Sequence, residues 1–195
     1  MVIHDEDARH HSCLALGPGF NQWSGAAPAG IPLPSISYLV YNHMTNSEGN
    51  HAEEYSRREF TISTDRRRLD LNFVHGFLKK CYWAKGIPRD VVARSIENSL
   101  CFGVYSGSKQ IGFGRVISDF STYAYIGDVF IVDPYRGRGL GKWLMECIMQ
   151  HPLLQGLRRW SLITRDAHGL YAQSGFTPLK FPKNHMEFHR PDVYA

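Results

Sequence analysis

One stretch of this chain restricts its fold more than any other. An apolar run, Phe130-Ile131-Val132, ends at Asp133-Pro134-Tyr135 and gives way to Arg136-Gly137-Arg138-Gly139-Leu140-Gly141-Lys142. Apolar residues then recur at helical spacing through Leu140, Trp143, Leu144, Cys147, Ile148 and His151, and stop before Pro152. A strand therefore feeds through a glycine-rich loop into the N-terminus of a helix. Such a terminus carries unpaired N–H groups and the positive end of the helix dipole, so it attracts anions. Glycine lets the main chain close on a diphosphate without a Cβ in the way. Arg136, Arg138 and Lys142 add positive charge, and a pyrophosphate-sized ligand is the natural guest.

Two common phosphate motifs do not match. A P-loop needs G-x-x-x-x-G-K-[ST], but Arg136 stands at the first glycine and Trp143 at the magnesium-binding hydroxyl. A dinucleotide fingerprint needs G-x-G-x-x-G near the first strand and an acidic residue about 20 positions on. Here the spacing is G-x-G-x-G, late in the chain, and the next strand ends at Thr164.

Around this loop the pattern predicts an α/β domain. A strand is expected over residues 59–63, a helix over 69–83 interrupted by Gly76, and a second helix begun by Pro88. Strands follow over 100–105, 110–117 and about 123–132, the first two joined by a turn at 106–108. After the loop helix come a strand over 159–164 and a helix over 167–174 with Asp166 as its N-cap. Residues 176–181 and 186–189 alternate like terminal strands. The expected order is β-α-α-β-β-β-α-β-α-β-β. Residues 1–57 are broken by Gly, Pro and Ala and read as a partly flexible extension, with 58–195 as the domain. Within the extension only 36–41 could be a strand, free to dock on the domain or on a second copy; a homodimer is compatible with this.

With 195 residues, one domain with a real core is expected. A net charge of +4 is far from the basic stripe of a nucleic-acid binder. Cys13, Cys81, Cys101 and Cys147 form no C-x-x-C pair and no zinc spacing, and His4, His10 and His11 lack partnering ligands, so no metal is expected. No apolar run reaches the roughly 18 residues of a membrane span, and the N-terminus is acidic where a signal peptide is basic. A cytoplasmic protein is expected, with no membrane partner.

The loop also spells R-x-x-G-x-G through Arg136, Gly139 and Gly141. About 30 residues on, Leu170-Tyr171-Ala172-Gln173-Ser174-Gly175-Phe176 has the form L-Y-x-x-x-G-F. In these two segments, and in the order of its elements, the chain resembles the GNAT superfamily of acetyl-CoA-dependent N-acetyltransferases over roughly residues 58–190. The resemblance implies a mixed sheet with splayed central strands, acetyl-CoA as co-substrate and no metal. It implies that Arg136, Gly137, Arg138, Gly139, Leu140, Gly141 and Lys142 hold the CoA pyrophosphate. Phe130, Ile131 and Val132 would pair their free main-chain groups with the pantetheine arm, the physics of β-augmentation.

Aminolysis of a thioester needs a neutral amine, a polarised carbonyl and a proton for the departing thiolate. Tyr171 falls on the family's general-acid position, and a tyrosine stays protonated at neutral pH. Asp128 is the candidate general base, with Asp119 and His168 as alternatives. Without a bulge, alternation puts Asp128 on the face of Phe130 and Val132; a bulge would reverse that. Tyr82, Trp83, Phe120, Tyr123 and Tyr125 supply aromatic surface near the acceptor. The expected acceptor is a small-molecule amine. The competing reading is a CoA-binding regulatory module without turnover.

Overall fold

The computed structural model describes residues 52–194. Six strands form one mixed sheet in sequence order. They are β1 (Glu54–Arg57), β2 (Phe60–Ser63), β3 (Leu100–Ser106), β4 (Lys109–Ser118), β5 (Tyr123–Ile131) and β6 (Arg159–Leu162). Neighbours run antiparallel from β1 to β5, and β6 lies parallel to β5. Helices α1 (Leu71–Leu78) and α2 (Arg89–Glu97) precede β3, α3 (Leu140–Gln150) joins β5 to β6, and α4 (His168–Ala172) follows β6.

Side-chain alternation divides the core into two layers. On one face Ile62, Phe102, Val104, Val116, Ala124 and Ile126 pack against Leu140, Trp143, Leu144, Met145, Cys147 and Ile148 of α3. On the other, Cys101, Phe113 and Phe130 meet Val74 and Leu78 of α1 and Val92 of α2. Each such fully buried Leu, Ile or Phe contributes about 1.5–3 kcal/mol. Gly114 sets how closely α3 approaches: a Cβ there would lie 3.3 Å from Leu144 Cδ2.

Several elements differ from the sequence expectation. The sheet begins at Glu54, four residues before the expected boundary; β1 has only Tyr55 as an apolar residue, too little for a strand signal. The division of the remaining extension, with segment 36–41, lies outside the described residues. Helix α1 is shorter than residues 69–83. Asp70 caps its start, accepting from Asn72 N and Phe73 N. Its end tightens into three-residue turns, Lys80 N to Phe77 O and Cys81 N to Leu78 O, which bring Tyr82 and Trp83 off the helix. The expected strands over 176–181 and 186–189 do not form; this stretch is irregular around a 3-10 turn at Pro182–Asn184. Pro178 and Pro182 remove ladder donors there, and residues 177–193 are exposed. β6 is consequently an edge strand, and the splay lies at the β5–β6 edge rather than between central strands. Among the described residues no helix is long and apolar enough to cross a membrane.

Candidate active site

Strands β5 and β6 pair only from Tyr123 with Arg159 to Ile126 with Leu162. Beyond that point they separate, and a cleft of about 1300 Å³ opens between the second half of β5, the glycine-rich loop and the β6–α4 connection. Its two ends differ in chemistry.

At one end lies the loop. Asp133–Tyr135 make a 3-10 turn, Gly137 and Gly139 take φ of 75° and 77°, and Gly139 is the N-cap of α3. Arg136 N donates to Asp133 O and Trp143 N to Gly139 O, but among the described residues none of the N–H groups from 137 to 142 donates to another main-chain group. Six consecutive amides are thus free at a helix N-terminus, and their glycines would point any Cβ at 137 or 139 into open space. Gly141 differs: it is helical, and its Cβ would meet Leu170 Cδ2 at 3.7 Å. Lys142 lines the cleft. Arg138 does not, and lies 5.4 Å over the Tyr135 ring. Arg136 is a brace as much as a free cation, pairing with Asp133 at 2.7 Å and donating from Nε to Ile131 O at 2.8 Å.

Next along the cleft is the free edge of β5. Val132 N donates to Ile111 O, so the main-chain groups of Val132, and by alternation of Phe130, face β4. Of the three residues expected to pair with pantetheine, only Ile131 turns main-chain groups outward, and Val129 joins it. Val132 does not line the cleft; Phe130 does, with its ring stacked on Phe77 at 3.7 Å.

At the far end β5 carries a bulge. Arg115 pairs with Gly127 and Phe113 with Phe130, so Asp128 and Val129 together oppose Gly114. Asp128 has φ of 55°, a left-handed conformation that Asp tolerates better than most residues. Asp128 shares the Phe130 face, on the side of α1 and α2, whereas Ile126 faces α3; the bulge turns the chain over between Ile126 and Asp128. Its Oδ2 accepts from Arg115 Nε at 2.8 Å and its Oδ1 from the Trp83 indole at 3.2 Å. Arg115 in turn donates to Ser99 Oγ at 3.2 Å. The pair is largely shielded, with side-chain exposures of 16% and 12%.

Tyr171 reaches the same cleft from α4, packed edge-on to Phe176. Burial, reinforced by Tyr82, Tyr125 and Asp166, pushes its phenol up to about 12, and no hydrogen bond holds its hydroxyl among the described residues. The helix carrying it begins one residue later than expected. Thr164 Oγ1, not Asp166, accepts from Ala167 N, because the turn places the hydroxyl three residues before that amide. Tyr82, Trp83 and Tyr125 line the cleft, while Phe120 and Tyr123 do not. Asp119 is occupied elsewhere: hydrogen bonds from Thr122, Ser121 and Tyr123 hold its carboxyl far below the usual range. His168 stays outside the cleft.

Sequence reasoning overlooked Arg115 and Glu187, which also line this end. Arg115 had a signal, a cation inside the apolar alternation of Phe113 and Ile117; Glu187 had none. Among the described residues no cluster of three His, Cys, Asp or Glu side chains could hold a metal ion.

Comparison with known proteins agrees with this architecture. Residues 97–178 match the model of the acetyltransferase (GNAT) domain. A GNAT-family acetyltransferase structure from Xanthomonas campestris pv. campestris is 51% identical, covering 70% of this chain and 96% of that one, with a TM-score of 0.69. A protein of Gibberella zeae, named an acetyltransferase by inference, is 28% identical over 63% of this chain and 81% of its own. A Clostridium acetobutylicum acetyltransferase solved with acetyl-CoA shares the fold at 13% identity and a TM-score of 0.50, covering 67% of this chain and 94% of that one. The chain belongs to the GNAT family of acetyltransferases.

Proposed function

We propose that this protein transfers the acetyl group of acetyl-CoA to the amine of a small molecule by direct aminolysis. The observation that carries the reading is the row of six free amides at 137–142, opening into a cleft that continues to Tyr171 and Asp128. The site fits the cofactor: amides and Lys142 suit a pyrophosphate, and the outer edge of β5 at Val129 and the Ile131 N–H, whose own carbonyl is held by Arg136, suits an extended amide-bearing arm. Acetyl-CoA supplies an activated thioester, whose carbonyl carbon bonds to the amine nitrogen as the C–S bond breaks. Tyr171 donates its phenolic proton to the departing sulfur. Asp128 receives the amine's proton at Oδ1, which accepts only from a neutral indole, while Arg115 and Ser99 keep the carboxylate in place. The bulge turns it to the face opposite Ile126.

One observation favours a non-catalytic CoA-binding module instead: both oxygens of Asp128 already accept hydrogen bonds. Two measurements separate the readings. Calorimetry with acetyl-CoA should show one site, and thiol release should rise above the acceptor-free rate with at least one amine in a broad panel. Binding without release from any amine favours the module; absence of binding removes both.

A further inference from the structure

The Asp128 end of the cleft has a composition of its own. Tyr82 and Trp83 are 47% and 44% exposed, unusual for residues of that size, and meet edge to face with centroids 5.0 Å apart. The Trp83 ring is fixed beside the Asp128 carboxylate by its own N–H. Tyr82 already carries a cation: the Arg165 guanidinium sits 3.7 Å over its centroid. Two guanidiniums, Arg115 and Arg165, stand here against three carboxylates, Asp128, Asp166 and Glu187, with His189 completing the wall. Both guanidiniums are engaged, Arg115 with Asp128 and Ser99, Arg165 with Tyr82 and Asp166. Among the described residues Glu187 has no ion-pair partner. Among the described residues, the unpaired cation of the cleft is Lys142, at the loop end.

We infer that the acceptor is a primary ammonium on an apolar or aromatic body that carries no anionic group, received by the Trp83 ring and the Glu187 carboxylate beside Asp128. This rests on the proposed acetyl transfer and specifies its substrate class. An aromatic face attracts an ammonium through its quadrupole, and a nearby free carboxylate adds to it. An acceptor bearing a carboxylate or phosphate would meet Glu187 and find no disengaged cation to pair with, which is discrimination by an unfavourable contact. An ammonium enters as a cation and releases one proton to solvent as it reaches the reacting position, and the neutral amine then gives its second proton to Asp128 as it attacks.

The test uses amines matched with their carboxylated counterparts: 2-phenylethylamine against phenylalanine, and cadaverine against lysine. Thiol release with the full-length protein should give a kcat/KM at least about tenfold higher for the amine of each pair. Glu187→Gln should raise KM for the amines about two- to fivefold with kcat unchanged, and Trp83→Leu should raise it about three- to thirtyfold. Glu187 is exposed, so its substitution leaves the fold intact. Equal or higher kcat/KM for the amino acids, no release from any of the four compounds, or unchanged KM for the amines in both variants overturns the inference. Calorimetry of the same protein with acetyl-CoA, at the opposite end of the cleft, shows separately whether the proposed reaction survives that outcome.

Discussion

Tyr171 and Asp128 illustrate how far a residue's role can be taken before its neighbours are known. Tyr171 was legible because it sits in a local motif; its raised pKa was not, since it comes first from shielding by burial and then from the charges of groups such as Tyr82 and Tyr125 in distant elements. That shielding changes the expected chemistry. With the phenol pushed up to about 12, the acid stays protonated throughout the neutral and mildly alkaline range. A descending limb due to Tyr171 therefore belongs near pH 12, not near the ordinary 10. Tyr171→Phe should lower kcat about 10- to 1000-fold with acetyl-CoA affinity little changed. The check is kcat against pH for both proteins with one good acceptor, and equal kcat would assign Tyr171 to packing alone. Asp128 was legible as a carboxylate on the right strand. Its place on the Phe130 face was legible too, but the bulge at that place was not, because a bulge depends on the partner strand, and neither was Arg115, 13 residues away in sequence.

At the scale of elements, the strand–loop–helix unit was readable in full, whereas its three glycines looked alike and are not. Gly137 and Gly139 sit at positive φ, where a Cβ is strained whatever the space around it. Gly141 has an ordinary helical backbone and faces Leu170. Gly139→Ala should therefore cost about 1–2 kcal/mol of stability and weaken acetyl-CoA binding by disturbing the amide row. Gly141→Ala should leave stability within about 0.5 kcal/mol of the parent, helped by helix propensity. Denaturant titration of both variants decides; equal losses would mean that backbone conformation is not what these positions require. The two missing terminal strands teach the converse. Alternation at 176–181 and 186–189 mimics a half-buried strand, yet a strand also needs donors and a surface to pack on, and this proline-interrupted stretch has neither.

At the scale of the whole molecule, His151 ties the stability of the fold to pH. It follows α3, is 3% exposed, accepts from Leu153 N through Nδ1 and meets Phe102 edge-on. Burial lowers its pKa from the ordinary 6.5, outweighing the opposing influence of Glu53. The unfolded chain then binds the proton more readily than the folded one. The stabilisation from neutral His151 is fully present above about pH 6.5 and is lost as pH falls below that value through the folded pKa. His151→Asn offers a side-chain oxygen in place of the capping Nδ1 and removes the titration, so its stability should fall less between pH 7 and pH 5 than the parent's. Thermal unfolding across that range checks it, and parallel curves would show that His151 does not titrate differently on folding.

The distribution of buried residues along the chain has a further consequence. After Leu154 no described residue is fully buried, although that last portion contains β6, Tyr171 and Glu187. The fully buried residues of both apolar layers therefore all precede one whole wall of the cleft, from Ile163 onward. The part from Arg159 onward is attached by four residue pairs to β5 and by partly buried side chains such as Leu162, Tyr171 and Phe176. Such a segment belongs to the low-stability end of the molecule, opening by itself at less cost than global unfolding. A molecule lying between β5 and β6 would touch both the firmly folded portion and this late-attached one. Occupancy would then fasten the C-terminal segment down, making order in the last forty or so residues a property shared between the polypeptide and what it binds.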